Sequence, residues 1–313
     1  MNAPPTFQGV SFSLSGGERH AGLVVGTDVL DIEDALAALP IPAEVHAQLH
    51  AQGLRPAPGG WMRWLQAGPS ARAALRSSLA EGGRTQTRHA LASVQLHAPL
   101  ARPGKIVAIG RNYADHAKET GVQPFEKPRI ISKLPSSVCD PGATVPIPAD
   151  VKKMDFEAEL AVVIGRHAHA VSRENALQHV AAYCCLNDLS AREFQFDVSP
   201  AQTTFAKSMD GFCPLGPILL DAADVANPQD LWVRSWVNDA LMQEANTHDM
   251  LFPVAELIHY ISQYMTLEPG DILATGTPAG IGAFRNPPVW LKSGDTIRVE
   301  VSGMGSLVTH IGL

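Results

Sequence analysis

The sequence predicts an α+β fold: a large mixed β-sheet system with a smaller α+β module at the N-terminus. Three observations carry this. Short alternating or apolar runs bounded by Gly, Pro and Asn outnumber amphipathic helical stretches. The helices do not alternate strictly with strands, which argues against a doubly wound sheet. A Pro/Gly-rich break at residues 97–105, HAPLARPGK, separates two stretches of different pattern, so the expected division is residues 1–98 and 99–313.

In order along the chain, FSLS (12–15), a Gly16-Gly17 turn, AGLVVG (21–26) and DVLDI (28–32) read as short strands with a tight hairpin. DIEDALAAL (31–39) reads as a helix, with Asp31 or Asp34 near its start. QGLRPAPGG (52–60) breaks the pattern, and short helices follow near 61–66 and 70–79. Beyond the second break, KIVAIG (105–110) is a strand and ADHAKE (114–119) helical. DFEAELAVVIG (155–165) starts as an alternating strand and ends as a buried apolar run. ENALQHVAAYCCLND (174–188) passes from helix to strand, and WVRSWVND (232–239), with Asn238-Asp239 at its turn, is half a hairpin. MLFPVAELIHYISQYM (250–265) is an amphipathic helix. DILATG (271–276), DTIRVEVSG (295–303) and SLVTHIGL (306–313) are strands, and no internal repeat is evident.

Bulk composition narrows the function classes. The 313 residues are 45% hydrophobic and 18% charged, with net charge -7. No basic run or stripe favours nucleic acid or an anionic membrane. An acidic protein that takes an acidic substrate needs a local positive centre, and a bound cation supplies one. No apolar run approaches the roughly 20 residues of a membrane span, and MNAPPTFQGV lacks a signal-peptide core. A cytoplasmic protein is expected. Cys139, Cys184, Cys185 and Cys213 form neither a disulfide framework nor a CxxC zinc spacing. Adjacent Cys184 and Cys185 would point to opposite faces of a strand, as buried small apolar residues.

The chemistry-bearing residues start with Glu157 and Glu159. Two positions apart on a strand, they share a face, with Cβ atoms roughly 6–7 Å apart. Phe156, Ala158 and Leu160 take the apolar face; Asp155 has the acidic parity and is a further candidate. Such a pair is either a wet acidic face or a cation site. Asp188, in CLNDLSARE, would add a third carboxylate where a strand end opens; its bland alternative is a capping Asp. Three carboxylates suit Mg2+, Mn2+ or Ca2+, whereas zinc prefers His or Cys.

His116 and Glu119 are neighbours at i and i+3 on a helix. A carboxylate beside an imidazole fixes its tautomer and raises its basicity, so the pair can take a proton from water; the alternative is a surface pair. Lys207, among small and apolar neighbours, could stabilise developing negative charge or simply snorkel. Arg192 and Gln195 could grip a carboxylate. The loop ATGTPAGIG (274–282) lacks the GxGxxG pattern; it suits offering backbone N–H groups and the Thr277 hydroxyl to a carboxylate, or a plain turn. His167 and His169 read as surface residues, and no GxSxG elbow occurs.

Taken in order, GRNYADHAKE, SKLPSSV, DFEAELAVVIG, CLNDLSAREFQ, FAKSMDGFCPLGP and LEPGDILATGTPAGIG resemble the catalytic domain of the fumarylacetoacetate hydrolase family, over about residues 103–313. The resemblance implies a mixed β-roll, a small N-terminal domain and a homodimer. It implies that Glu157, Glu159 and Asp188 bind a divalent metal, Mg2+ or else Mn2+ or Ca2+. It implies that His116 and Glu119 are a lid-borne dyad, that Lys207 and Lys133 are active-site lysines, and that Arg192, Gln195 and Thr277 contact a small 2-oxo acid. Ile131-Ser132 before Lys133, and Thr204, Phe205 and Ala206 before Lys207, depart from the commoner family patterns and alter the pocket wall. The implied activity is hydrolysis of a C–C bond in a 2,4-dioxo acid of the acylpyruvate type. The alternatives are isomerisation of a hydroxymuconate-type diene acid, decarboxylation of oxaloacetate, or carboxylate binding without catalysis.

Overall fold

The computed structural model describes residues 6–80, 87–121, 123 and 125–312. Among these, the chain builds an eleven-stranded sheet, a five-stranded sheet and two two-stranded ribbons. The fold is α+β, as the strand-rich pattern predicts.

The larger sheet runs Arg88–Ala90, Asp28–Asp31, His20–Val25, Gln8–Ser13, Ile218–Asp221, Val180–Asn187, Ala158–Ile164, Ile272–Ala274, Ile106–Gly110, Arg129–Lys133. Gln95–His97 pairs with Gln8–Ser13 off this path. Only Ile272–Ala274 with Ile106–Gly110 is parallel within this sheet. The smaller sheet runs Ala240–Asn246, Trp232–Val237, Thr296–Val301, Ser306–Gly312, Thr144–Pro146.

Ala158–Ile164 and Val180–Asn187 are buried along their whole length, because both faces of the larger sheet are covered. On one face Leu160, Val162 and Cys185 share a core with Val233, Ile297, Val299 and Leu307 of the smaller sheet and with helix Val254–Ser262. On the other, Ala161, Val163 and Cys184 share a core with Leu36, Trp61, Trp64 and Leu65. Cys184 and Cys185 thus do face opposite ways. Each fully buried Leu or Val side chain contributes about 1.5–3 kcal/mol.

The N-terminal strands belong to this same sheet: Gln8–Ser13 pairs antiparallel with Ile218–Asp221, Gly9 opposite Leu219. Helices Gly60–Gln66 and Gly68–Ala80 fall where the spacing puts them. The helix expected over 31–39 is shortened to Glu33–Ala37, because Asp31 ends a strand and its carboxylate accepts the Glu33 N–H at 3.0 Å. Helix Ala43–Ala51 buries no side chain, so it leaves no apolar stripe to read. The hairpin at Asn238 has its turn residue at φ 53°, a left-handed position that Asn tolerates.

One expectation needs correction. The strand expected from Asp155 to Gly165 is broken after Asp155. Met154–Asp155 pairs with Ser190–Ala191, and the regular strand resumes at Ala158. Side chains replace ladder partners in the gap: the Phe156 N–H bonds Asp155 Oδ1 at 2.9 Å, Glu157 N–H bonds Asn187 Oδ1 at 3.2 Å, and Ala158 N–H bonds Gln243 Oε1 at 3.0 Å.

Candidate active site

The break places Glu157 at the mouth of the sheet, beside Glu159 on the regular strand and Asp188 just past the end of Val180–Asn187. Asp188 is tied in by its N–H to Glu157 O at 2.9 Å. The three carboxylates each offer an oxygen within 4.8 Å of the others. They are 6%, 1% and 2% exposed, so this is no wet acidic face.

Cations hold two of these acids, Glu157 and Asp188, each in a different way. Lys207 Nζ donates to Glu157 Oε2 at 3.0 Å, Asp188 Oδ2 at 2.8 Å and Ser190 Oγ at 2.8 Å. Arg192 donates through Nη2 to Glu157 Oε1 at 2.5 Å, through Nε to Asp155 Oδ2 at 2.8 Å and through Nη1 to Gln195 Oε1 at 2.7 Å. Lys133 Nζ donates to Asp188 Oδ1 at 2.7 Å and to the carbonyls of Lys207 and Phe212. With all three N–H groups so used, Lys133 anchors Asp188 from behind.

Electrostatics follow from these contacts. Burial pushes the Glu157 carboxyl up, but Lys207, Arg192 and His116 outweigh it and hold the group down at about 2. Among the described residues Glu159 has no ion-pair partner, though the Lys207 charge acts on it from beyond ion-pair distance. Burial, Asp188 and Glu157 push it well above the ordinary carboxylate range, against the Gly276 N–H at 2.8 Å. Burial would lower the Lys207 ammonium, yet Asp188 and Glu157 raise it, so it stays charged. Asp155 does not join the triad: its oxygens accept from Arg192 and from the N–H groups of Phe156, Gly282 and Ala283.

The loop 274–282 does offer N–H groups to carboxylates, and they are the protein's own. Gly276 serves Glu159, Gly280 serves Glu119 at 3.0 Å and Gly282 serves Asp155 at 2.7 Å. Gly276 and Gly280 sit at φ 98° and φ 104°. A Cβ there would lie 2.8 Å from Asn112 Cβ and 2.2 Å from Met242 O respectively. Only glycine permits that backbone and that approach. The Thr277 hydroxyl donates to Ala158 O at 2.9 Å and accepts from Gln243 Nε2 at 2.7 Å.

His116, on helix Ala114–Glu119, meets Glu119 Oε1 through Nδ1 at 2.6 Å. It faces a cleft that Glu157, Asp188, Arg192, Gln195, Lys207 and Thr277 also line. Glu119 and Lys133 lie behind these as partners of His116 and Asp188, and Glu159 lies behind them on the Gly276 N–H. His167 and His169 are exposed and away from the cleft. Sequence reasoning passed over Gln243, Asn112 and Ser190. Gln243 holds Ala158, Thr277 and Pro278, and Asn112 holds Phe252 and Thr275. A lone buried amide that bonds backbone between 35 and 163 residues away leaves no local pattern.

The donor set fits a hard divalent cation. Four buried acids (Asp155, Glu157, Glu159, Asp188) face three buried cations (Lys133, Arg192, Lys207), which leaves one formal negative charge. That surplus falls on Glu159, the member of the triad without a partner cation. Oxygen-only ligation selects Mg2+, Mn2+ or Ca2+ over zinc.

Comparison with known proteins agrees. The family model described as "Fumarylacetoacetate (FAA) hydrolase C-terminal" matches residues 105–312. The chain is 42% identical over 214 residues to the mitochondrial oxaloacetate tautomerase FAHD2B of Bos taurus, covering 68% of each. It is 41% identical over 228 residues to oxaloacetate tautomerase YisK of Bacillus subtilis, covering 72% of this chain and 75% of that one. Among solved structures it resembles fumarylacetoacetate hydrolase from Exiguobacterium antarcticum, with TM-score 0.75, 30% identity and coverage of 98% and 99%. It also resembles maleylpyruvate hydrolase from Sphingobium sp. SYK-6 in complex with manganese(II) and pyruvate, with TM-score 0.71, 28% identity and coverage of 98% and 100%.

Proposed function

The chain belongs to the fumarylacetoacetate hydrolase family, and within it we propose a divalent-metal-dependent tautomerase that moves a proton between the enol and keto forms of a short 2-oxo acid, with oxaloacetate the first substrate to try. The observation that carries this is that His116, Glu157 and Asp188 line one cleft, with Glu159 within 4.8 Å of the other two acids behind it. The two tautomerase relatives quoted above support the choice of reaction.

Glu157, Glu159 and Asp188 would hold the metal. When bound, it would polarise the 2-oxo oxygen as a Lewis acid. The Nδ1–H of His116 donates to Glu119 Oε1, which leaves the Nε2 lone pair to act as base. The Gly280 N–H holds the other oxygen of Glu119 and so keeps the imidazole aimed. His116 Nε2 takes the proton from the carbon next to the oxo group. The C–H electron pair becomes the C=C bond, and the carbonyl pair moves onto oxygen, which takes up a proton from water while His116 passes the one it took to water; reversal restores the keto form. Lys207 stays protonated and supplies N–H groups to the charge growing on that oxygen. Gln195, held by Arg192, presents its amide to the substrate carboxylate.

The C–C hydrolysis expected from the sequence stands as a second reading, on one observation: the same His116–Glu119 pair can draw a proton from water instead of carbon. The test is His116→Ala in metal-loaded protein, offered enol-oxaloacetate and an acylpyruvate. Tautomerisation should fall about 10²–10⁴-fold with metal content unchanged. Undiminished proton transfer would exclude His116 as the base, and cleavage of the acylpyruvate alone would move the assignment to the hydrolase.

A further inference from the structure

Two arginines of the same cleft take no part in the machinery above. Arg111 follows strand Ile106–Gly110, and Arg129 opens the antiparallel strand Arg129–Lys133. Gly110 and Arg129 are register partners, so the two arginines stand at the neck of the excursion that carries His116 and Glu119. Both line the cleft. Arg111 holds a left-handed φ of 58°, and its guanidinium lies 5.6 Å over the Phe125 ring.

Every other ionised cation of the cleft is matched. Arg192 has Asp155 and Glu157, and Lys207 has Glu157 and Asp188. Among the described residues, neither the Arg111 nor the Arg129 side chain has a carboxylate within ion-pair distance or a hydrogen-bond acceptor. Burial and the adjacent Arg129 charge both lower the Arg111 pKa, the mark of two like charges side by side. Half-buried like charges are unfavourable unless an anion joins them, and a pair of planar guanidinium forks suits a carboxylate.

We infer that Arg111 and Arg129 form a clasp for a second carboxylate, which makes the enzyme select dicarboxylic over monocarboxylic 2-oxo acids. The assignment rests on the proposed function for where the first carboxylate and the oxo group sit, at the triad end of the cleft. The distal carboxylate then lies toward the 111–129 neck, and its negative charge offsets the repulsion there. Exposed arginines merely bathed in solvent would give no such selectivity.

The test uses metal-loaded full chain as wild type, Arg111→Asn, Arg129→Gln and the double variant. Asn tolerates the positive φ at 111, and Arg129 is only half-buried, so unchanged melting temperatures are expected. Calorimetric titration with malate and with lactate compares a dicarboxylate with a monocarboxylate without turnover. Wild type should prefer malate by about 30-fold or more, the scale of charge-assisted hydrogen bonds. The double variant should lose most of that preference while its affinity for lactate changes less than about threefold, a loss confined to the group that the clasp bonds. On oxaloacetate the same variants should raise KM and leave kcat nearly constant. Equal loss of both ligands, or a wild type with no preference, would overturn the clasp. A malate preference that the variants abolish, in a protein that does not turn over oxaloacetate, would keep the clasp and discard the tautomerase.

Discussion

Among single residues, Glu157 is the one that joins the buried cations to the triad. It accepts from Arg192 and Lys207 while offering an oxygen to the triad. Glu157→Ala removes a ligand but leaves Arg192 on Asp155 and Lys207 on Asp188, so each cation keeps a partner. The expected outcome is a folded protein that no longer retains Mn2+ in equilibrium dialysis and loses activity by about 10³-fold, because both metal and charge are gone. Retention of both metal and activity would remove the triad from the mechanism. The i, i+2 spacing of Glu157 and Glu159 was visible in the sequence because strand geometry is local. That Glu159 lacks an ion-pair partner among the described residues was not visible, since its neighbours come from the ends of other strands and a loop.

At the scale of elements, the loop 274–282 is the part most closely tied to chemistry. Its glycines hand three N–H groups to Glu159, Glu119 and Asp155, so one turn registers the triad, the base pair and the Arg192 anchor together. Gly280→Ala would bring a Cβ to 2.2 Å from the Met242 carbonyl at φ 104°, and that clash is with main chain, which has little room to relax. The variant should lose about 2–4 kcal/mol of stability, read as a lower urea midpoint. Activity should fall as well, because a backbone shifted to relieve that contact carries the residue-280 N–H away from Glu119. A variant with wild-type midpoint and turnover would show that the loop is merely a connection. The broken strand at Phe156–Glu157 belongs to this scale too. Periodicity saw one continuous strand, because only distant side chains (Asn187 and Gln243) reveal where the ladder stops.

At the scale of the whole molecule, residues 1–98 add strands to the larger sheet and cover one of its faces. Gln8–Ser13 shields the edge of Ile218–Asp221, while Trp61, Trp64 and Leu65 cap the face that holds Ala161, Val163 and Cys184. Further ties run from Ser13 to His97 at 2.8 Å, and from His97 and Arg19 to Asp140 at 2.9 and 2.8 Å. A fragment of residues 99–313 would expose both an open strand edge and an apolar face. It should elute as aggregate in size-exclusion chromatography where the full chain is monodisperse. A soluble fragment that binds metal would show the division near residue 98 to be a true boundary of folding.

The α+β class, the order of most strands, the Glu157–Glu159 and His116–Glu119 pairs and the family are all legible in the sequence. All of these rest on alternation, helical spacing or motif order, which are properties of adjacent residues. The folded chain adds that Asp188 meets the glutamates, which acids share a cation, that Asp155 serves Arg192, that Lys133 works from behind Asp188, and that Arg111 and Arg129 stand together with no partner acid among the described residues. Those facts come from strand ends and loops that meet only when both faces of the larger sheet are buried. In that low-dielectric interior each charge is set by its neighbours in space rather than in sequence.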